Sequence, residues 1–148
     1  MEAEKSIWFK KVAEPFGWMG NMAPYPIEFE GKVWRTSEAL FQAMRYEDED
    51  IKELIRAEKS PMGAKMKAKK YKDKMVVVPM SVDDVENMKK CVRLKFDQHP
   101  KIKDLLMKTQ GRLIFEDIGN RNGERHKFWG AKKVTIPLVM ESIPWGRF

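Results

Sequence analysis

Apolar residues recur at Val85, Met88, Val92 and Phe96, the three- and four-residue steps that gather side chains on one helix face. Ser81 ahead of them, with Asp84 three residues on, resembles a capping box, and Pro100 breaks the helix they define. A second helix is predicted from Thr36 or Ser37 to about Asp48, with Leu40, Phe41 and Met44 on its apolar face. Ser60-Pro61 sets a capping residue before a proline at the first helical position, so a further helix opens there. A shorter one follows Pro100 through Leu105 and Leu106. Strand patterns are fewer. Ser6 to Phe9 is short and apolar, and Arg112 to Phe115 reads as a buried strand ending at Glu116 and Asp117. Ile27 to Phe29 and Lys32 to Trp34, separated by Glu30-Gly31, read as a tight hairpin.

Between these elements, Gly17, Gly20, Pro24 and Pro26 argue for an irregular loop whose aromatic residues pack against something. From Ile118 to Lys127 the polar, glycine-containing composition reads as loop. There is no repeat, low-complexity tract or regular βαβ alternation. The expectation is therefore one α+β domain over residues 1–148, mainly helical, with a small sheet or hairpin.

Composition narrows the function classes. A chain of 148 residues, 43% hydrophobic and 34% charged, is long enough for one substantial core and too ordered in composition for a disordered segment. The net charge of +7 favours an anionic partner, whether nucleotide or nucleic acid, without choosing between them. Cys91 is the single cysteine, so no intramolecular disulfide can form, and with eleven methionines it suits a reducing compartment. Residues 1–5 are charged and lead into no apolar targeting segment, and the aliphatic run Met75 to Val78 stops at Pro79, far short of a membrane span. A cytoplasmic protein with no membrane association is expected.

Several residues could carry chemistry. Glu38 sits in the first turn of its helix, after an aromatic-rich loop, where a carboxylate can point into a cleft; it is equally where an acid favours the helix dipole. Glu116 and Asp117 close an apolar strand, a place for functional carboxylates and also where ordinary polar loops begin. Trp129-Gly130 could form an aromatic lid stacking on a base, or simply belong to the core. Lys65, Lys67, Lys69, Lys70, Lys72 and Lys74 could grip phosphates, but they do not share one helical face, and a solvated helix is the plainer reading. His99, His126 and Cys91 lack metal-ligand spacing, Cys91 falls on the apolar side of its helix, and no phosphate-binding glycine loop is present.

Read together, several segments resemble the NADAR superfamily. Trp18-Met-Gly-Asn21-Met-Ala-Pro24 looks like a diverged copy of its first motif, with Gly20 where the family has serine. Thr36-Ser-Glu38-Ala-Leu-Phe41-Gln42-Ala43-Met-Arg45 resembles the block Thr-x-Glu-His-x-Phe-Gln-Ala-x-Lys, with Ala39 in place of histidine and Arg45 in place of lysine. Ser60-Pro61-x-x-Ala64, the stretch Leu94 to Pro100, Leu105-Leu106 with Thr109, Glu116, and Trp129-Gly130 continue the likeness in order over roughly residues 15 to 130. Three departures stand out: His126 three residues before Trp129, where the family has aspartate; a longer loop from Glu116 to Trp129; and no recognisable glycine- and asparagine-containing segment after Gly130.

The resemblance implies a NADAR fold and an N-glycosidase acting on ADP-ribose-type or phosphoribosylamine substrates, such as ADP-ribosylated guanine or riboflavin-pathway intermediates. It implies Glu38 as the principal catalytic carboxylate, with Glu116 and Asp117 as candidates for a second acid. Trp18, Gly20, Asn21, Gln42, Arg45 and Trp129 would then bind ligand: Asn21 and Gln42 on ribose hydroxyls, Arg45 with nearby lysines on phosphate, and Trp18 or Trp129 on the base. No metal or redox cofactor is required. The partner would be a nucleotide-like small molecule or ADP-ribosylated nucleic acid. Two other classes remain open: a non-catalytic module binding ADP-ribose or NAD, and a basic nucleic-acid-binding protein.

Overall fold

The structure, a computed structural model, describes residues 6–109, 112–119 and 123–130. Among these residues helix predominates over strand, and they form two compact units, residues 21–99 and the described residues of 6–20 and 100–130.

The unit of residues 21–99 begins with the expected hairpin. Strands β2 (Ile27–Phe29) and β3 (Lys32–Trp34) pair antiparallel in the register Ile27↔Trp34 and Phe29↔Lys32. Glu30 (φ 50°) and Gly31 (φ 79°) both turn through the left-handed region, the requirement of a two-residue turn that follows the strand twist. Helix α1 (Ser37–Ala43) is capped by Thr36, whose Oγ1 accepts the Ala39 N–H at 3.1 Å.

α1 ends at Ala43, short of the predicted Asp48. Tyr46 is 2% exposed and turns inward to donate its hydroxyl to the Ala68 carbonyl, and Asp48 caps a new helix, accepting from the N–H groups of Asp50 and Ile51. That helix, α2 (Glu49–Ala57), was not anticipated; of its residues only Ile51 and Ile55, one turn apart, are buried.

Helix α3 (Pro61–Lys70) starts where Ser60-Pro61 predicts, with Ser60 Oγ accepting the Gly63 N–H at 2.9 Å. It buries only Ala64 and Ala68, two small residues that let its backbone come close enough for the Tyr46 bond. Met62 and Met66 are exposed, and the lysines are spread around the outer surface.

Helix α4 (Val82–Gln98) buries Asp84, Met88, Cys91, Val92, Lys95 and Phe96, so the apolar stripe read from sequence carries an aspartate and a lysine as well. Ser81 Oγ accepts the Asp84 N–H at 3.3 Å, but the reciprocal half of a capping box is displaced: the Asp84 carboxylate accepts from Met80 N–H at 2.8 Å. At the other end, the Gln98 side-chain amide pairs with the backbone of Glu28, both bonds 2.8 Å, and so pins β2 to α4 as another strand would.

In the other unit, β1 (Ile7–Phe9) and β4 (Ile114–Glu116) pair in parallel, Ile7↔Ile114 through Phe9↔Glu116. Trp8 stacks on Phe115 with ring centroids 4.8 Å apart. Parallel neighbours need a long connection, and about a hundred residues separate these strands in sequence. A 3₁₀ turn covers Gly17–Met19, and α5 (Pro100–Met107) buries Ile102 and Leu106. The loop expected from Ile118 to Lys127 is corrected in part: α6 (Glu124–Trp129) begins inside it. Six residues with no capping side chain leave a helix little local signature, and α6 buries none of its residues fully.

Candidate active site

Helix α1 sets Glu38 and Gln42 one turn apart on one side, and Arg45 follows in the turn just past its end. Gln42 Nε2 donates to Glu38 Oε2 at 3.2 Å, steadying the half-buried carboxylate from one turn below. The backbone around it is held by Asn21, whose carbonyl accepts the Glu38 N–H at 3.0 Å. The side chain of Asn21 is fixed in turn: Oδ1 accepts from Ser37 Oγ at 2.8 Å, and Nδ2 points to the Met88 sulfur at 3.0 Å. Asn21 therefore acts as an external cap on the start of α1, satisfying a donor the helix cannot.

Arg45 has a partner the sequence did not suggest. Its Nε and one terminal nitrogen grip the two Asp84 oxygens at 2.8 and 2.7 Å, a bidentate pair in which arginine is 7% exposed and aspartate fully buried. The guanidinium also lies 4.6 Å from the centre of the Phe41 ring.

Opposite α1, α4 presents a mixed stripe. Cys91 Sγ is 3.4 Å from Met44 Sδ. Burial, and then the Glu38 carboxylate, push its thiol far above the ordinary range, so it remains protonated and is no nucleophile at neutral pH. One turn on, Lys95 is 1% exposed, and burial draws its ammonium down to about 7. Its Nζ stands 5.3 Å from the Tyr25 ring centre and 5.4 Å from that of Phe96. Asp84 and Lys95 were the polar residues that sequence reading missed. The signal was there: positions 84, 88, 91 and 95 step at helical spacing, so a stripe defined by Met88 and Cys91 already carried a charge at each end.

The remaining expected residues lie in the other unit. Trp18 is half-buried within the 3₁₀ turn, tilted against Phe16 with centroids 6.3 Å apart, and Gly20 follows it. Glu116 ends β4 half-buried. Asp117 donates its N–H to the Phe9 carbonyl at 2.7 Å, and its Oδ1 accepts the Gly119 N–H at 2.9 Å, a local turn that fixes the carboxylate. Trp129 meets Phe128 edge-on at 4.8 Å. Gly130 is required by close approach: a Cβ there would sit 2.6 Å from Ile118 Cγ2 and 2.7 Å from the Glu116 carbonyl. The structure thus links Asn21, Glu38 and Gln42 through hydrogen bonds and pairs Arg45 with Asp84, while Trp18, Gly20, Glu116, Asp117 and Trp129 belong to the other unit. Among the described residues, no three His, Cys, Asp or Glu side chains gather as metal ligands, and no helix is long and apolar enough to cross a membrane.

Comparison with known proteins identifies the family. The NADAR domain family model matches residues 6–136. The N-glycosidase YbiA of Escherichia coli is 33% identical over 126 residues, 84% of this chain and 74% of the relative. The N-glycosidase Npun_R5314 of Nostoc punctiforme is 28% identical over 129 residues, 85% of this chain and 79% of the relative. The NMR structure of the Escherichia coli YbiA protein matches the fold with a TM-score of 0.72 at 29% identity, covering 87% of this chain and 74% of that one. With its mainly helical fold and the Thr36 to Arg45 block in place, this chain belongs to the NADAR domain family.

Proposed function

We propose that the chain is an N-glycosidase that hydrolyses the C1′–N bond of an ADP-ribose-type or phosphoribosylamine substrate, ADP-ribosylated guanine and riboflavin-pathway intermediates being the two classes to test. The observation that carries this reading is the Glu38 carboxylate, half-buried at the start of α1 and held by Gln42 and the Asn21 backbone. In the reaction the C1′–N electron pair leaves with nitrogen, and the ribose becomes oxocarbenium-like. A fixed carboxylate stabilises that positive charge and accepts a proton from the water that adds to C1′. The leaving nitrogen takes up a proton. The proton that Glu38 takes from the water balances the one that the leaving nitrogen gains, so the step is neutral overall.

Gln42 spends one amide hydrogen on Glu38 and has Oε1 to offer a ribose hydroxyl. In the other unit, Glu116 and Asp117 are proposed as further acids, with Trp18 and Trp129 as base-stacking surfaces. A second reading, a non-catalytic ADP-ribose or NAD reader, is favoured by one observation: His126, on α6, stands where the family carries aspartate before Trp-Gly.

Incubation with ADP-ribosylated guanine DNA and, separately, phosphorylated ribosylamines, read by mass spectrometry, tests the reading. Release of free base or amine with the ribosyl product is expected. No release from either class, with ADP-ribose still raising the melting temperature, would replace the enzyme by the reader.

A further inference from the structure

Arg45 stands in the turn just past α1, in the place where the resembling block carries lysine, and its guanidinium is already taken. Two of its nitrogens hold both Asp84 oxygens, and its own backbone carbonyl accepts the N–H groups of Val76 at 2.8 Å and Val77 at 3.3 Å. Asp84 in turn accepts from Met80 N–H at 2.8 Å. One side chain and one carbonyl therefore join three segments: the turn that ends α1, the chain at 76–80, and the first turn of α4. Lysine could not reproduce this, since an ammonium is a single point of charge whereas the guanidinium fork matches both carboxylate oxygens at once.

The geometry points to Asp84 as a positioning residue: by locking Arg45 it fixes the rotation and depth of α1 against α4, and so aims Glu38 and Gln42, rather than leaving Arg45 to bind substrate phosphate. This inference rests on the proposal that Glu38 is the catalytic carboxylate. It explains why a helix of seven residues, too short to hold its own register, carries the functional stripe. One end of the stripe is capped by Asn21 and Thr36, and the other is clamped by Asp84. Three turns of α4, each touching a different α1 or loop partner, complete the frame: Asp84 on Arg45, Met88 on Asn21, and Cys91 on Met44.

The test must separate aim from mere stability, because Asp84→Asn alone would leave a buried guanidinium without its countercharge and could unfold the chain. The double variant Arg45→Met/Asp84→Leu replaces the pair by apolar groups of similar size, an exchange that buried ion pairs commonly tolerate. It is compared with Arg45→Lys and the unaltered protein in two measurements. The first is kcat and KM on the substrate identified by the panel above. The second is the titration of the Glu38 carboxyl, followed by carbon NMR with labelled glutamate and assigned through Glu38→Gln.

The double variant is expected to remain folded, to lose roughly tenfold to a hundredfold in kcat with KM within about threefold, and to shift the Glu38 titration. Arg45→Lys should fall between the two proteins. A rise in KM at unchanged kcat would overturn the proposal and make Arg45 a phosphate ligand. Unchanged kinetics and an unchanged Glu38 titration would reduce the pair to a structural brace. If the unaltered protein turns over no substrate, the functional reading fails, and the Glu38 titration alone decides whether Asp84 aims the carboxylate.

Discussion

The two compact units hold their candidate residues by different means. In residues 21–99, side chains do the holding: Gln42 on Glu38, Ser37 on Asn21, Asp84 on Arg45, all across or along helices whose ends are capped. In the other unit the backbone takes part: the Asp117 N–H donates to the Phe9 carbonyl, its Oδ1 accepts the Gly119 N–H, and Glu116 closes a three-residue parallel pair. The difference teaches where preorganisation is strongest. A carboxylate braced by a neighbouring amide on a clamped helix needs little rearrangement to meet a developing charge. Glu38 is accordingly the residue on which the chemistry should depend most steeply.

The sharpest way to break this contrast is substitution of the acids. Glu38→Gln, which keeps shape and can still meet Gln42, should lower kcat by roughly a hundredfold to a thousandfold, measured on the released base. Next in size comes a stability effect. Below about pH 7 Lys95 is charged in both folded and unfolded chains, so its burial cost is fully present; above its ordinary value of 10.5 it is neutral in both, and the cost vanishes. Stability should therefore rise between those two limits, and Lys95→Met should remove that rise and be the more stable protein at pH 7 and below, as read by chemical denaturation across pH. The acids of the other unit should matter less: Glu116→Gln and Asp117→Asn are each expected to cost about tenfold in kcat. A loss equal to that of Glu38→Gln would place the dominant carboxylate there instead. Smallest, Thr36→Ala removes the α1 cap and should cost about 1 kcal/mol in denaturant unfolding.

Legibility followed the strength of local signals. The Glu30-Gly31 turn, the Thr36 cap, the Ser60-Pro61 start and the long stripe of α4 were all readable, because each is decided by a few neighbouring residues. α2 escaped because two buried isoleucines in nine mostly charged residues make a thin pattern, and its cap, Asp48, looked like the tail of α1. α6 escaped for want of a cap or a buried face. The parallel pairing of β1 with β4 joins segments about a hundred residues apart, a contact no local pattern encodes. At the site, Glu38 was singled out by its place in a helix's first turn, Gln42 by the family-like block and Asn21 by the family-like first motif, whereas the Arg45 and Asp84 pair was not, since Asp84 already had a sufficient local explanation as a capping residue. Lys95 was hidden by the ordinary expectation that lysines face water.

The most direct test of the central claim is the single-turnover rate of Glu38→Gln on whichever ribosylated substrate the unaltered protein cleaves, with ADP-ribose binding measured on the same preparation. The account predicts a folded variant that binds within a few-fold of the original and cleaves at least about a hundred times more slowly. A variant that binds normally and cleaves at the original rate would contradict it, and would remove Glu38 from the chemistry.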